Sequence, residues 1–417
     1  MPVTFRRPGF VCTDHVLEVP LDHDDPQGRT IEVYAREVVA PDKEGEDLPW
    51  LLFLQGGPGH KATRPGEGGA WLERALRDYR VLLLDQRGTG RSTPANRRTL
   101  PADPAEAADY LRHFRADSIV RDAELLRRTL NGDRPWSVLG QSYGGFCTVT
   151  YLSLAPDGLR EAFITGGLPN LTGGPDEVYR AAYPRVRAAA ERYFARYPGD
   201  RAALDRVLEH LDGNDVRLPG GERLTPRRLR TVGIALGSSA RFDGLHYLLE
   251  EAFAGTELSD TFLRTVDEWV TYAHHPLYAL LHEAIYCQGT ASNWSAQRVL
   301  GEFPEFEAES LLYGEMIYPW FFDEDPALRP LRDCAEILAR YEDWPALYDV
   351  GRLAANTVPV VAAVYYDDMY VDREQSMRTA ASIKGLRTWV TNEYAHNGLS
   401  LDPKVLDRLI AMNRGLA

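Results

Sequence analysis

Gly140-Gln141-Ser142-Tyr143-Gly144-Gly145 joins a short apolar strand, Trp136 to Leu139, to a run of helical composition, Phe146 to Leu154. A serine between glycines in a strand-to-helix turn is a specific arrangement. The turn strains the serine backbone, flanking glycines avoid the clashes, and the hydroxyl is lifted above the end of the sheet. The backbone N–H of Tyr143 then points to where an oxyanion would form. A serine that merely caps a helix is the competing reading, and the strand before it and the helix after it favour the nucleophile.

Working outward, Leu51 to Leu54 and Val81 to Leu84 are short continuous apolar runs, the pattern of parallel strands covered on both faces. Ala70 to Asp78 has helical composition, and Asp117 to Leu130 carries helical spacing before Asn131-Gly132 stops it. This alternation predicts an α/β fold with right-handed crossovers and a ligand site beyond the carboxyl ends of the strands. His15 to Pro20 and Thr30 to Val39, separated by the turn Asp22 to Gly28, predict an opening hairpin.

From Gly166 the chain changes character. A turn-rich stretch to Pro175 leads into amphipathic helical segments, among them Glu177 to Tyr197, Ala202 to Leu211 and Ser259 to Leu281. Strand character returns at Val358 to Tyr365 and Thr388 to Thr391, with a final helix from Pro403. The expected organisation is a mostly parallel sheet flanked by helices, built from residues 1–165 and 351–417 and interrupted by a large, mainly helical cap at 166–350.

Composition excludes several classes. With 417 residues, 44% hydrophobic and 26% charged, the chain is an ordinary globular one. Its net charge of −14 repels phosphate backbones, so nucleic acid is not an expected partner. No apolar run approaches the roughly 18–20 residues that cross a bilayer. The basic stretch Met1 to Pro8 is not followed by an apolar leader segment, so a cytoplasmic protein without a membrane partner is expected. Cys12, Cys147, Cys287 and Cys334 form no C-x-x-C pair and read as free, mostly buried thiols. His282-Glu283 opens an H-E-x-x-H pattern that fails at Tyr286, so no metal is expected.

Further segments bear on the chemistry. Gln55-Gly56-Gly57-Pro58-Gly59 follows the strand at Leu51 to Leu54, and the Gly57 N–H is the candidate second oxyanion donor. A phosphate loop is disfavoured there because the G-x-x-x-x-G-K-[ST] spacing is missing. A serine nucleophile needs a base and an orienting carboxylate, in the chain order Ser, Asp, His for a turn of this kind. Asp368 follows the strand ending near Tyr365, with adjacent Asp367 as its rival, and His396 follows the last strand.

Together with Asp85-Gln86-Arg87-Gly88-Thr89-Gly90-Arg91-Ser92, these segments resemble the proline iminopeptidases, serine aminopeptidases of the α/β-hydrolase fold. Gln55 stands where many members carry histidine, and the long insertion resembles the larger branch of the family. The resemblance implies release of an amino-terminal residue, preferentially proline, from small peptides with a free amino terminus. Ser142, His396 and Asp368 would act as the triad, with N–H groups of Tyr143 and Gly57 as the oxyanion donors and no cofactor. A carboxylester or amide hydrolase of the same fold is the alternative. Leu281 to Tyr286 resembles the cap segment that holds the substrate ammonium, which makes Glu283 the first candidate for that contact. Glu315, in Gly314 to Trp320, is the second, beside aromatic residues suited to a prolyl ring; the competing reading takes Tyr318, Trp320, Phe321 and Phe322 as cap core.

Overall fold

The short apolar runs become the centre of a nine-stranded sheet in the computed structural model, which describes residues 3–67 and 69–416. The strands are β1 (Val3–Arg7), β2 (Phe10–Pro20), β3 (Thr30–Val39), β4 (Trp50–Leu54), β5 (Arg80–Asp85), β6 (Trp136–Gln141) and β7 (Leu159–Thr165). A small separate hairpin, β8 (Phe253–Ala254) and β9 (Glu257–Leu258), precedes β10 (Val360–Tyr365) and β11 (Arg387–Thr391). The order across the sheet is β1-β2-β3-β5-β4-β6-β7-β10-β11. From β5 to β11 all neighbours are parallel, while β1 to β3 form an antiparallel extension joined to β5.

Side-chain alternation explains why the central strands are apolar throughout. Leu52 and Leu54 of β4 join one core with Val138 and Ala362, beneath the helices Ala116–Asn131 and Tyr143–Leu154. Leu51 and Phe53 face the other way, with Leu139 and Val361, toward the helices Trp71–Ala75 and Lys404–Asn413. Both faces are dry, so neither set of alternating positions tolerates a polar residue without a partner. The exception is Glu161 on β7, whose buried carboxylate accepts from Tyr79 and Ser137 hydroxyls at 2.9 and 2.8 Å.

Between β7 and β10 the described elements are helical apart from β8 and β9. Two expected helices form close to their expected bounds: Pro175–Arg196 starts two residues earlier and ends one sooner, and Asp200–Gly213 is two residues longer at each end. The expected single helix over Ser259 to Leu281 is instead two, Asp260–Val270 and Pro276–Leu281. Pro276 is the cause: it lacks an N–H and pushes His275 out of helical conformation, to φ −151° and ψ 58°. Strands β1 and β7 have no counterpart in the sequence reading. β1 is a largely exposed edge strand, and Arg160 and Glu161 interrupt the apolar run of β7. All four cysteines are free and buried, and no helix among the described residues is long and apolar enough to cross a membrane.

The loop after β5 locks the strand ends together. Asp85 is fully buried, pairs with Arg64 at 2.6 Å and accepts from the Ala62 and Arg91 N–H groups. Gln86 Nε2 donates to the Gln55 carbonyl at 2.9 Å, tying this loop to the one after β4. Arg87, also buried, donates to both oxygens of Asp122 at 2.7 and 2.6 Å and to the Leu21 and His113 carbonyls. Removing one partner of such a pair leaves a charge without compensation. Arg87→Met is therefore expected to lower the unfolding free energy by about 3–5 kcal/mol, read by urea denaturation. A loss below about 1 kcal/mol, the range of an exposed pair, would contradict this bracing role.

Candidate active site

Because β5, β4, β6, β7, β10 and β11 run parallel, the loops at their carboxyl ends gather at one edge of the sheet. Ser142 sits there, immediately after β6, with φ +55° and ψ −125°. An L-residue adopts this left-handed φ only when its surroundings hold it, and here they do. Its N–H donates to the Thr165 carbonyl at the end of β7 at 2.9 Å, and its carbonyl accepts from Gly145 at 2.7 Å. A Cβ on Gly56 would stand 2.9 Å from Ser142 Cβ, so the loop after β4 lies directly against the serine. Gly144 is equally constrained, because a Cβ there would collide with the Leu54 carbonyl. Tyr143 begins the helix that follows, so its N–H belongs to the four at a helix start without an intrahelical acceptor.

His396 Nδ1 lies 2.6 Å from Asp368 Oδ2. The other oxygen of Asp368 accepts the N–H groups of Tyr370 and Val371 at 2.8 and 3.1 Å, which fixes the carboxylate in the turn after β10. Asp367 points outward toward Arg192, 3.5 Å away and similarly exposed. The turn thus separates two neighbours that the sequence leaves as rivals. Tyr370 packs edge-on against the imidazole, with ring centroids 4.7 Å apart. The second ring nitrogen, Nε2, has Gln141 Nε2 at 3.5 Å. A bond from Ser142 Oγ to the imidazole is not among the hydrogen bonds of the described residues, and such contacts often tighten only around substrate.

Electrostatics separate the roles these groups can take. Burial works against a charged His396, yet the charge and hydrogen bond of Asp368, with a contribution from Glu315, raise its pKa above the ordinary value. For Glu315, burial pushes the carboxyl up to about 7 against the opposing effects of the Tyr278 hydroxyl and His396. Tyr278 donates to it at 2.7 Å. Glu315 lines a cavity of about 70 Å³ together with Tyr272, Tyr278 and Phe321, and has no cationic partner among the described residues.

Glu283 is also buried and also raised to about 7, burial outweighing the N–H groups that oppose it. Its two oxygens accept from Ala296 and Ser295 at 2.8 and 3.1 Å, at the start of the helix Ser295–Leu300. The fields of both glutamates reach Tyr179 and Tyr286, which places them around one aromatic region. Of the two, Glu315 is the one whose charge contributes to raising the His396 pKa.

The aromatic residues expected beside Glu315 divide. Tyr318 and Phe322 are buried packing residues, with the Tyr318 hydroxyl 3.0 Å from that of Tyr183, whereas Phe321 reaches the cavity. Tyr272 and Tyr278, absent from the sequence reading, supply the rest of its aromatic wall. Tyr278 sits one helical turn before His282, and nothing in its spacing distinguishes it from a core tyrosine.

Comparison with known proteins places the chain in a family. Residues 49–206 match the family model described as alpha/beta hydrolase fold. A proline iminopeptidase from Aeromonas sobria is 49% identical over 420 residues, covering 99% of both chains. Another from Aspergillus aculeatus is 38% identical, over 92% of this chain and 89% of its own. Among solved structures, a proline iminopeptidase from Mycobacterium smegmatis aligns with 96% of this chain and 97% of its own, at 15% identity and a TM-score of 0.44. At 49% and 38% identity over nearly the whole of their length, these relatives show that this chain belongs to the proline iminopeptidase family.

Proposed function

We propose that the protein is a serine aminopeptidase that releases an amino-terminal residue, with a preference for proline, from small peptides. The observation that carries this reading is Glu315, a buried carboxylate without a cationic partner beside the His396–Asp368 pair. A hydrolase of neutral esters has no use for that charge. A peptide with a free amino terminus brings the missing cation.

In this reading Ser142 Oγ attacks the carbonyl carbon of the first residue while His396 Nε2 takes the hydroxyl proton. Asp368 holds the imidazole through Nδ1 and stabilises the imidazolium that forms. The N–H groups of Tyr143 and Gly57 receive the oxyanion, at a helix start and in a glycine loop respectively. The tetrahedral intermediate collapses as His396 returns the proton to the leaving amine. Water, activated by the same imidazole, then frees the acyl group. Glu315 holds the substrate's ammonium, and Glu283, already bound to two backbone N–H groups, adds negative charge to the same end. Pyrrolidine is small and apolar, which suits a pocket walled by Tyr272, Tyr278 and Phe321. The division into core and cap belongs to this reading, with the cap carrying the ammonium site, as does a cytoplasmic location for a chain with four buried thiols.

Three outcomes are expected with an L-prolyl arylamide. Ser142→Ala should lower kcat by at least about 10⁴-fold while leaving the thermal unfolding curve in place; activity equal to the parent would overturn the assignment. Because His396 must be neutral to accept a proton and its pKa is raised, activity should be lost as pH falls through a value above the ordinary ~6.5. Glu315→Gln should raise KM by about tenfold or more and move that acid limb to lower pH, since the negative charge that favours the imidazolium is gone. The KM change is the discriminating one, since an ester hydrolase without an ammonium site would keep its KM.

A further inference from the structure

A cavity of about 820 Å³ opens beside the loop after β4, on the outer side of His60 and His275. Lys61, Arg97 and Arg98 line it, and no aspartate or glutamate does, in a chain that has 61 acidic residues. Their neighbours Arg64 and Arg91 are committed to Asp85 and Asp14. Lys61, Arg97 and Arg98 are exposed and enter no ion pair among the described residues. Asp85, which lies behind the cavity wall at Gly90, is already paired with Arg64. The cavity is therefore a positive concavity on a negative protein, a shape that concentrates anions.

Its position relative to the reactive serine gives that charge a meaning. His60 and His275 line this cavity and also the 70 Å³ cavity that contains Glu315, with their rings edge to face at 4.7 Å. Burial keeps both imidazoles neutral, with pKa values lowered to about 3 and about 4, so the partition adds no charge of its own. The Glu315 carboxyl thus lines the cavity on one side of the partition, and Lys61, Arg97 and Arg98 line the cavity on the other. Gly56 touches Ser142 and Lys61 lies five residues further along the same loop. At 3.3–3.6 Å per residue that is at most about 18 Å, the span of an extended peptide of roughly three to five residues.

We propose that this outer cavity binds the free α-carboxylate of short peptides through Lys61, Arg97 and Arg98, so that the protein recognises an unblocked peptide at both ends. The proposal rests on the aminopeptidase reading and adds a carboxylate subsite on the leaving-group side. It predicts a preference that no arylamide reveals, because an arylamide has no carboxylate.

The test compares kcat/KM for Pro-Gly-Gly with that for its carboxamide, Pro-Gly-Gly-NH2, and uses L-prolyl arylamide as a separate control. For the parent protein the free acid should be favoured by about tenfold at low ionic strength, and by less at 1 M salt, where the Debye length is about 3 Å. In Arg97→Gln/Arg98→Gln the ratio should fall toward one, with the loss in KM for the free acid, and Lys61→Gln should lower it in part. Each ratio is internal to one protein, so a partly misfolded preparation does not disguise the result. A parent ratio near one, with the arylamide cleaved, overturns the carboxylate subsite and leaves the aminopeptidase reading standing. A high parent ratio that survives all three substitutions overturns the assignment to these residues. Failure to cleave any of the three substrates overturns the aminopeptidase reading and this proposal with it.

Discussion

The left-handed backbone of Ser142 is the constraint around which the rest is arranged. A residue at φ +55° persists only if its neighbours supply more stabilisation than the conformation costs, which is of order 1–3 kcal/mol. The supply comes from three strands. β6 delivers the serine, β7 accepts its N–H at Thr165, and the loop after β4 presses Gly56 against its side chain. These approaches need bare backbone at Gly56 and Gly144, since a Cβ at either would meet Ser142 or Leu54. The glycines that make the segment recognisable are therefore contacts between elements as much as features of one turn.

Those contacts depend in turn on a sheet whose strand ends cannot slide. Arg87 and Asp122 pair under the loop after β5, Asp85 gathers Arg64 and two backbone N–H groups, and Gln86 reaches across to the loop after β4. None of these groups touches the serine. They hold the loops that do, with charged hydrogen bonds in a region where water cannot substitute for them.

Charge is distributed with equal economy. The His396–Asp368 pair lies near one carboxylate, Glu315, that lacks a counter-ion in the chain, while the outer cavity holds cations that lack carboxylates. A zwitterionic peptide has the complementary pattern along its length. Burying Glu315 at a raised pKa is costly in the free protein, and an arriving ammonium would relieve that cost. In the proposed reading, selectivity for an amino terminus rests on solvation as well as on shape.

Local patterns were enough to identify the elbow at Ser142, the glycine loop at Gln55 to Gly59, the brace at Asp85 to Ser92 and the position of His396 after the last strand, because each depends on backbone demands that few residues satisfy. β7 was not legible, since Arg160 and Glu161 break its apolar run and only the partners on Tyr79 and Ser137 make Glu161 tolerable inside. Asp368 was the preferred carboxylate with Asp367 as its rival, and the turn after β10 directs Asp368 toward the imidazole and Asp367 toward Arg192. Glu283 was put ahead of Glu315 by resemblance, and folding put Glu315 within electrostatic reach of His396, with Tyr278 arriving from another segment to hold it. By itself, the sequence determined the fold class and the strained turn that carries Ser142, because strand, turn and helix propensities act over a few residues. Only tertiary structure decided which carboxylates are desolvated and what faces them, because burial and electrostatic fields arise from segments far apart in the chain.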